Sequence, residues 1–485
     1  MTGGAIRMER VKKLERLRDA GMNPYPAETK RDIWILDFNA QFTELVEESR
    51  PLTIAGRLMS LRGQGGIMFA DVFDGTGKTQ VVLQKTEMEE KLFQLFADAV
   101  DIGDFIEIHG VAFKTKRGEQ SLKVSHWKIL AKALQPIPSE WYGLKDEELK
   151  LRQRYLDILL NDEVRAMFVR RAKFWSAMRE YLLKRNFLEV ETPILEISPG
   201  GADARPFETH HHALALDVSL RISLELWLKR LLVAGFPKVF EIGRIFRNEG
   251  QSREHLQDYT QLEVYEAYSD MQKGMKFVQE LYRYIVKEVY GKYSFSISGH
   301  EVDFAEDWPT MDFSAVMQEH FDIDPILCGG GDAIQKAHEE GVLTASDDNK
   351  ARAIDSLWKK IRKGIAGPAF LVNVPVYLEP LAKRSHNNPN TVERFQVILA
   401  GSEMGKGFSE LNDPIDQRAR FEEQMRLREA GDSEAQMLDE DFLEALEYGM
   451  PPAAGFGISE RLFAVLADKP VREATLFPLM KEESK

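Results

Sequence analysis

The sequence predicts an α+β protein with two parts: a small N-terminal β-barrel, then a larger domain built on a mostly antiparallel sheet flanked by helices. Short β-rich runs crowd residues 51–135, and the remainder alternates strands with helices without a regular βαβ rhythm. Neither a GxGxxG nor a GxxxxGKS phosphate loop occurs, which removes the commonest parallel-sheet nucleotide sites.

Residues 1–50 read as a helical extension. Within the twelve residues 7–18, Arg7, Arg10, Lys12, Lys13, Arg16 and Arg18 are opposed only by Glu9 and Glu15. The start, MTGGAIRMERVKKLERLRDAG, is charged and helical where a secretion signal would be apolar, and no apolar run is long enough to span a bilayer. A cytoplasmic protein without a membrane partner is expected. The single cysteine, Cys328, cannot form an intrachain disulfide.

Residues 51–135 contain LTIAGRLMSL, IMFADVFD, TQVVLQ, DFIEIHGVAF and QSLKVSHWKIL, separated by turns such as GQGG, DGTGK and KRGE. One helical interval, KTEMEEKLFQLFADAV, precedes the fourth run. Five strands with that single helix are the layout of an OB-fold barrel, a platform for single-stranded nucleic acid. Phe69 is then either core or a surface on which a base stacks. The formal charge of −14 argues against indiscriminate nucleic-acid binding, but Lys114, Lys116, Arg117, Lys123, Lys128 and Lys132 form a second basic patch. The two patches suggest an N-terminal third that faces RNA.

Residues 136–160 read as a Pro-initiated linker running into helix. The span 161–485 forms the second domain. Asn161 caps a helix whose apolar residues, from Val164 to Leu182, recur at helical spacing, and NFLEVETPIL follows as a strand broken at Pro193. LALDVSLRIS, KVFEIGRIF, TQLEVYEAY, AFLVNVPVY and RFQVILAG read as strands, and an inserted helical subdomain is expected around 320–365.

Chemistry concentrates in a few segments. In TQLEVYEAY, Glu263 and Tyr265 are two apart and project from one face, opposite Leu262 and Val264. Glu225 in RISLELWLKRL and Glu410 in GKGFSELND sit among apolar neighbours. Carboxylates are costly to bury without a cation, so their convergence implies either internal ion pairs or a cationic ligand such as an ammonium.

The segment FEIGRIFRNEG, followed by the returning strand QLEVYEAY, resembles motif 2 of class II aminoacyl-tRNA synthetases, with Arg247 and Glu249 at its Arg and Glu positions. GISERLFAVL resembles motif 3, with Arg461 at its arginine, and FLEVETPIL resembles the dimer-forming motif 1. Within the class, GGADARPFETHH, RISLELWLKRL, LEVYEAY and GFSELND match segments of the lysyl-tRNA synthetases, and the resemblance covers nearly the whole chain.

The resemblance implies a class II catalytic domain that uses ATP, lysine and tRNA(Lys) and works as a homodimer through motif 1. It assigns Arg247, Glu249 and Arg461 to catalysis and, with His255 and Tyr259, to ATP. It assigns Gly201 and Glu263 to the α-amino end of lysine, and Glu225, Tyr265 and Glu410 to its ε-ammonium. Arg57, Phe69, Gln80 and Glu119 fall where that family reads a uridine-rich anticodon, which favours Phe69 as a base platform. Histidines 210–212 match partly and read as strand residues.

That family holds Mg2+ between two carboxylates seven residues apart. Glu403 is the second, but Gln396 stands at the first, and an amide adds no charge, so the site should be weaker or lean on the ATP phosphates. Seven residues on a straight strand would face opposite sides, so a bend or bulge near Gly401 is required. Three other positions depart from the family. Lys406 replaces an asparagine, Glu254 replaces an arginine and is expected to be offset by Arg253, and motif 3 is one residue short. The alternatives are an aspartyl- or asparaginyl-type synthetase, for which Lys406 would supply a cation, or a catalytically lapsed tRNA-binding paralogue.

Overall fold

The computed structural model describes residues 3–138, 146–250, 252–342, 349–432 and 434–482. Stretches 139–145 of the expected linker and 343–348 of the expected insertion, and the terminal residues 1–2 and 483–485, lie outside the described residues. The chain divides into two compact units, Met1–Lys150 and Leu151–Lys485.

In the first unit, β1 (Leu52–Gln64), β2 (Ile67–Phe73), β3 (Lys78–Gln84), β4 (Phe105–Lys114) and β5 (Gln120–Ala131) close a barrel in the order β1-β2-β3-β5-β4. The single helix, Glu90–Ala99, precedes β4 as the sequence predicts. The two-residue period of β2 buries Met68, Ala70 and Val72 and leaves Ile67, Phe69 and Asp71 half-buried. Phe69 therefore faces out of the barrel and is not core. The N-terminal helices Gly3–Asp19, Ile35–Ala40 and Phe42–Glu48 add Leu17, Ile35, Phe38, Phe42 and Leu45 to the barrel's apolar cluster.

Part of the predicted basic surface is structural. Lys132 is buried with its ammonium 2.8 Å from Asp104, and Arg10 donates to the carbonyls of Ile102, Ala133 and Gln135 at 3.0 Å. Neither of these two cations is available to a polyanion.

The second unit opens with the short helix Arg154–Leu160, followed by helix Asp162–Leu183, whose N-cap Asn161 accepts from the backbone N–H groups of Glu163 and Val164. A short strand β6 (Leu188–Glu189) follows, then a small sheet of β7 (Leu195–Glu196), β8 (Glu208–His211) and β9 (Leu216–Leu220). Next come the long pair β10 (Lys238–Phe246) and β11 (Asp258–Ala267), and a hairpin of β12 (Ser294–Ile297) and β13 (His300–Asp303). β14 (Thr310–Asp312), β15 (Ala369–Val372), β16 (Arg394–Leu399), β17 (Ser402–Ser409) and β18 (Ala453–Ser459) complete the strands.

Eight of these form one sheet in the order β14-β15-β16-β17-β18-β11-β10-β6. Its pairs are antiparallel except at the two edges, β6–β10 and β14–β15. Strand alternation separates two apolar clusters. Leu262, Val264, Phe395, Val397 and Phe456 join one with the helices Asp162–Leu183 and Met271–Tyr290, while Tyr265, Ile398 and Phe408 join the other with helix Glu225–Val233. The expected insertion supplies helices Gly330–Glu339 and Lys350–Arg362, which pack through Ala333, Ala353, Leu357 and Trp358 into that second cluster.

Candidate active site

A cleft of about 680 Å3 opens over the middle of the large sheet. All three residues proposed for catalysis, both further ATP residues, all five lysine residues and both metal candidates line it. Their convergence follows from the register: Tyr265 and Glu263 on β11 lie opposite Gly455 and Gly457 on β18, and Gly457 lies opposite Lys406 on β17. A Cβ at Gly455 would collide with Glu410 Oε1 and the Tyr265 ring, so glycine there makes room for the two groups.

Glu263 is held by four donors: Ser223 Oγ at 2.9 Å, the Leu224 N–H at 3.1 Å, Gln261 Nε2 at 2.6 Å and, on its other oxygen, the Tyr265 hydroxyl at 2.8 Å. Gly201 adopts φ +83°, where a side chain would be strained, and a Cβ there would meet Ser223 at 2.9 Å. The glycine keeps this end of the cleft open beside Glu225.

The other two acids have a partner the sequence reading missed. The Lys229 ammonium is fully buried, 2.5 Å from Glu225 Oε1 and in contact with Glu410 Oε2. Glu410 Oε1, also buried, has no hydrogen-bond partner. Burial pushes Glu225 up to about 7 and Glu410 well above the ordinary carboxylate range, with Lys229 opposing both shifts. Internal pairing is therefore present: one ammonium already sits between two of the acids, and an acceptor beside it is unused.

Among the residues expected to meet ATP, Arg247 Nε donates to the Ile222 carbonyl at 3.2 Å, and its guanidinium lies 5.7 Å from the Tyr259 ring centroid. Burial raises the Glu249 carboxyl, against the pull of Arg247. His255 shares a 2.8 Å hydrogen bond with Ser252 Oγ, and burial together with Arg461 pushes its imidazole down to about 4, so it is neutral at pH 7. Arg461 donates through Nε to the Glu254 carbonyl at 3.1 Å.

Glu254 is not offset by Arg253, whose guanidinium is instead 3.9 Å from Asp468. Glu254 accepts from Ser402 Oγ at 2.7 Å and faces Arg362 at 3.6 Å and Arg461 at 3.9 Å. Although burial raises its carboxyl, Ser402 and these arginines hold it below the usual range. Its partners are remote in sequence, and only the fold brings them together.

Gln396 and Glu403 are joined by a complete hairpin turn at Ala400 and Gly401, sharper than the expected bend, with a register shift between Gln396 and Ile398. The proposed donors are already engaged: the Gln396 amide oxygen accepts from Arg394, and Glu403 Oε1 accepts from Trp358 Nε1 at 2.8 Å. Arg362 stands 3.9 Å from Glu403. Among the described residues no three His, Cys, Asp or Glu side chains converge as a metal site. This donor set does not fit a divalent ion held by the protein.

In the barrel, Arg57 pairs with Phe73, Phe69 with Val82, and Gln80 with both Asp71 and Ser121, which places Arg57, Phe69 and Gln80 on one outer face. Arg57 lies over the Phe105 ring at 4.3 Å, and Gln80 accepts from Ser121 Oγ at 3.1 Å. Glu119 is exposed in the turn before β5, one residue from that face's edge. Histidines 210 and 211 lie on the exposed strand β8, where His210 contacts Asp217 at 2.7 Å.

A barrel of the nucleic-acid type in one unit, and in the other an antiparallel sheet carrying two arginines over a cleft, define a class II synthetase. Residues 146–481 match the family of tRNA synthetases class II (D, K and N), to which the chain belongs, and residues 52–130 match the OB-fold nucleic acid binding domain. The chain is similar over nearly its whole length to proteins named lysine–tRNA ligase. That of Fervidobacterium nodosum is 41% identical, covering 99% of this chain and 94% of the relative. That of Moorella thermoacetica is 42% identical, covering 97% of each, and that of Thermotoga maritima 41%, covering 98% and 95%. Within the class the chain therefore falls in the lysine–tRNA ligase family, a group of ATP-dependent aminoacyl-tRNA ligases.

Proposed function

We propose that the cleft activates lysine with ATP and passes the lysyl group to tRNA(Lys). The lysine carboxylate attacks the α-phosphorus, pyrophosphate leaves, and the terminal ribose hydroxyl then displaces AMP from the lysyl-adenylate. No side-chain nucleophile is needed, because positioning and charge supply the catalysis. Arg247 stabilises the α-phosphate, Arg461 holds the distal phosphates, and Glu249, His255 and Tyr259 contact the nucleotide. Magnesium enters with ATP as the counter-ion of its phosphates.

The observation that carries lysine as substrate is the charge of the specificity end. Of the three carboxylates Glu225, Glu263 and Glu410, the first and third pair with one buried protein cation, Lys229, while Glu263 is held by neutral donors and Glu410 Oε1 is unpartnered. Two carboxylates are left for the two ammonium groups of free lysine. Gly201 and Glu263 take the α-amino end, and Glu225, Tyr265 and Glu410 take the ε-ammonium. Aspartate finds no unpaired cation at this end, since Lys229 is held between Glu225 and Glu410. The test is amino-acid-dependent ATP–pyrophosphate exchange with lysine, aspartate and asparagine, with Glu410→Ala as control. Exchange with lysine alone, lost in the variant, supports the reading; exchange with aspartate, or with no amino acid, overturns it.

Phe69, Arg57, Gln80 and Glu119 are proposed to read the anticodon, Phe69 by stacking. The enzyme is proposed to act in the cytoplasm as a homodimer. Leu183, Leu188, Ile194, Leu195 and Ile197, around the motif 1 segment, are all at least 45% exposed and form an apolar series suited to a second copy.

A further inference from the structure

Beyond the lysine pocket, one wall of the cleft carries an arrangement that the activity does not by itself require. Glu379 is buried and clamped between two cations, with Arg394 Nε at 2.9 Å from one oxygen and Lys406 Nζ at 3.0 Å from the other. Arg394 also occupies the Gln396 amide oxygen. Lys406 pairs across the β16–β17 hairpin with Gln396 and keeps 44% of its side chain open to solvent. All four residues line the cleft, together with Glu403.

The charge of this wall has a definite sign. Arg362, Arg394, Lys406 and Arg461 are opposed by Glu254, Glu379 and Glu403, four positive charges against three. A divalent cation placed there would meet a net positive field and two donors already engaged by Arg394 and Trp358. A triphosphate would meet the opposite, a fixed ammonium and a guanidinium held in place by a buried carboxylate.

We propose that this hairpin wall binds the ATP triphosphate with its own cations, Lys406 and Arg394, and holds no divalent ion of its own. The inference rests on ATP occupying the cleft. Glu379 is then a positioning residue that keeps both cations aimed at the phosphates, and the metal is brought and held by ATP alone.

Two binding measurements on the full-length protein decide this. Metal-stripped wild-type protein is titrated with Mn2+ in the absence of nucleotide and followed by electron paramagnetic resonance. The free-ion signal is expected to stay undiminished, and uptake approaching one ion per chain overturns the proposal. Next, α,β-methylene-ATP is bound in excess EDTA by wild type, Lys406→Asn and Lys406→Arg. The asparagine variant is expected to bind about tenfold more weakly and the arginine variant close to wild type, as removal of one charge-assisted contact predicts. Equal affinity of wild type and Lys406→Asn overturns it. Lysine-dependent exchange by the wild type reports separately on activation, so its failure is distinguishable from either result. The Mn2+ titration needs no variant and stands even where one misfolds.

Discussion

The ammonium of Lys229 lies 2.5 Å from the carboxylate of Glu225, one helical turn earlier, and both groups are sealed inside the protein. The same ammonium touches Glu410. The protein therefore keeps a lysine head group permanently in its acidic pocket, between the two acids proposed to receive the substrate's.

Removing that ammonium strands two buried carboxylates. Lys229→Met is expected to lower stability by about 3–5 kcal/mol at pH 8. The loss should shrink toward pH 6, because the stranded acids then take up protons. Thermal denaturation at the two pH values checks this, and a pH-independent loss would contradict the pairing.

The pH dependence of the wild type follows from Glu225, which burial raises from an ordinary value of 4.5 to about 7. A raised carboxyl pKa favours the folded state below the unfolded value, and that contribution disappears as pH rises through the folded one. Apo-protein stability should therefore decline between pH 4.5 and about 7, while lysine, which needs the ionised acid, binds more tightly over the upper part of that range. Calorimetry near pH 6.5 in buffers of different ionisation enthalpy should show protons released when lysine binds.

Glu410→Gln keeps the shape of the pocket and removes one charge. The KM for lysine is expected to rise about a hundredfold, the scale of losing a buried charge pair, with the KM for ATP little changed. A parallel rise in both constants in the exchange assay would mean that Glu410 supports the cleft without meeting lysine.

Arg247 is buttressed by the Ile222 carbonyl and the Tyr259 ring. Arg247→Gln should cut the exchange kcat by about 10²–10³-fold, the usual cost of one donor to a transition-state charge. Circular dichroism should show the fold unchanged. A variant that loses only ATP affinity would place Arg247 in ground-state binding.

Phe69 offers an outward ring on the barrel. Phe69→Ala should weaken tRNA about tenfold, within the range for loss of one stacked base, and leave tRNA-independent exchange intact. Equal KM for tRNA in both proteins would remove Phe69 from the interface.

The barrel was legible in the sequence because its signal is local: five β-rich runs, the turns between them and one helix in the expected place. The pairing of Glu263 with Tyr265 was legible for the same reason, since two residues apart on a strand fixes their face. Lys229 was not. A Glu and a Lys four apart on a helix ordinarily form an exposed pair, and nothing local shows that this one is buried under Phe408 and Phe442. The partners of Glu254 escaped for a different reason. Arg362 and Arg461 lie more than a hundred residues away, so adjacency suggested Arg253 in their place. The hairpin between Gln396 and Glu403 was half visible, since the geometry demanded a change of direction near Gly401 without specifying a full reversal.

The indole N–H of Trp358 is tied to Glu403 at the wall of the cleft, on a helix packed into the second apolar cluster. An indole so placed is an optical gauge. Phosphates drawn to the neighbouring arginines change the field along its hydrogen bond, and its emission shifts with them. With seven tryptophans in the chain, the expected clock for the arrival of ATP is the difference in stopped-flow emission between the native protein and Trp358→Phe.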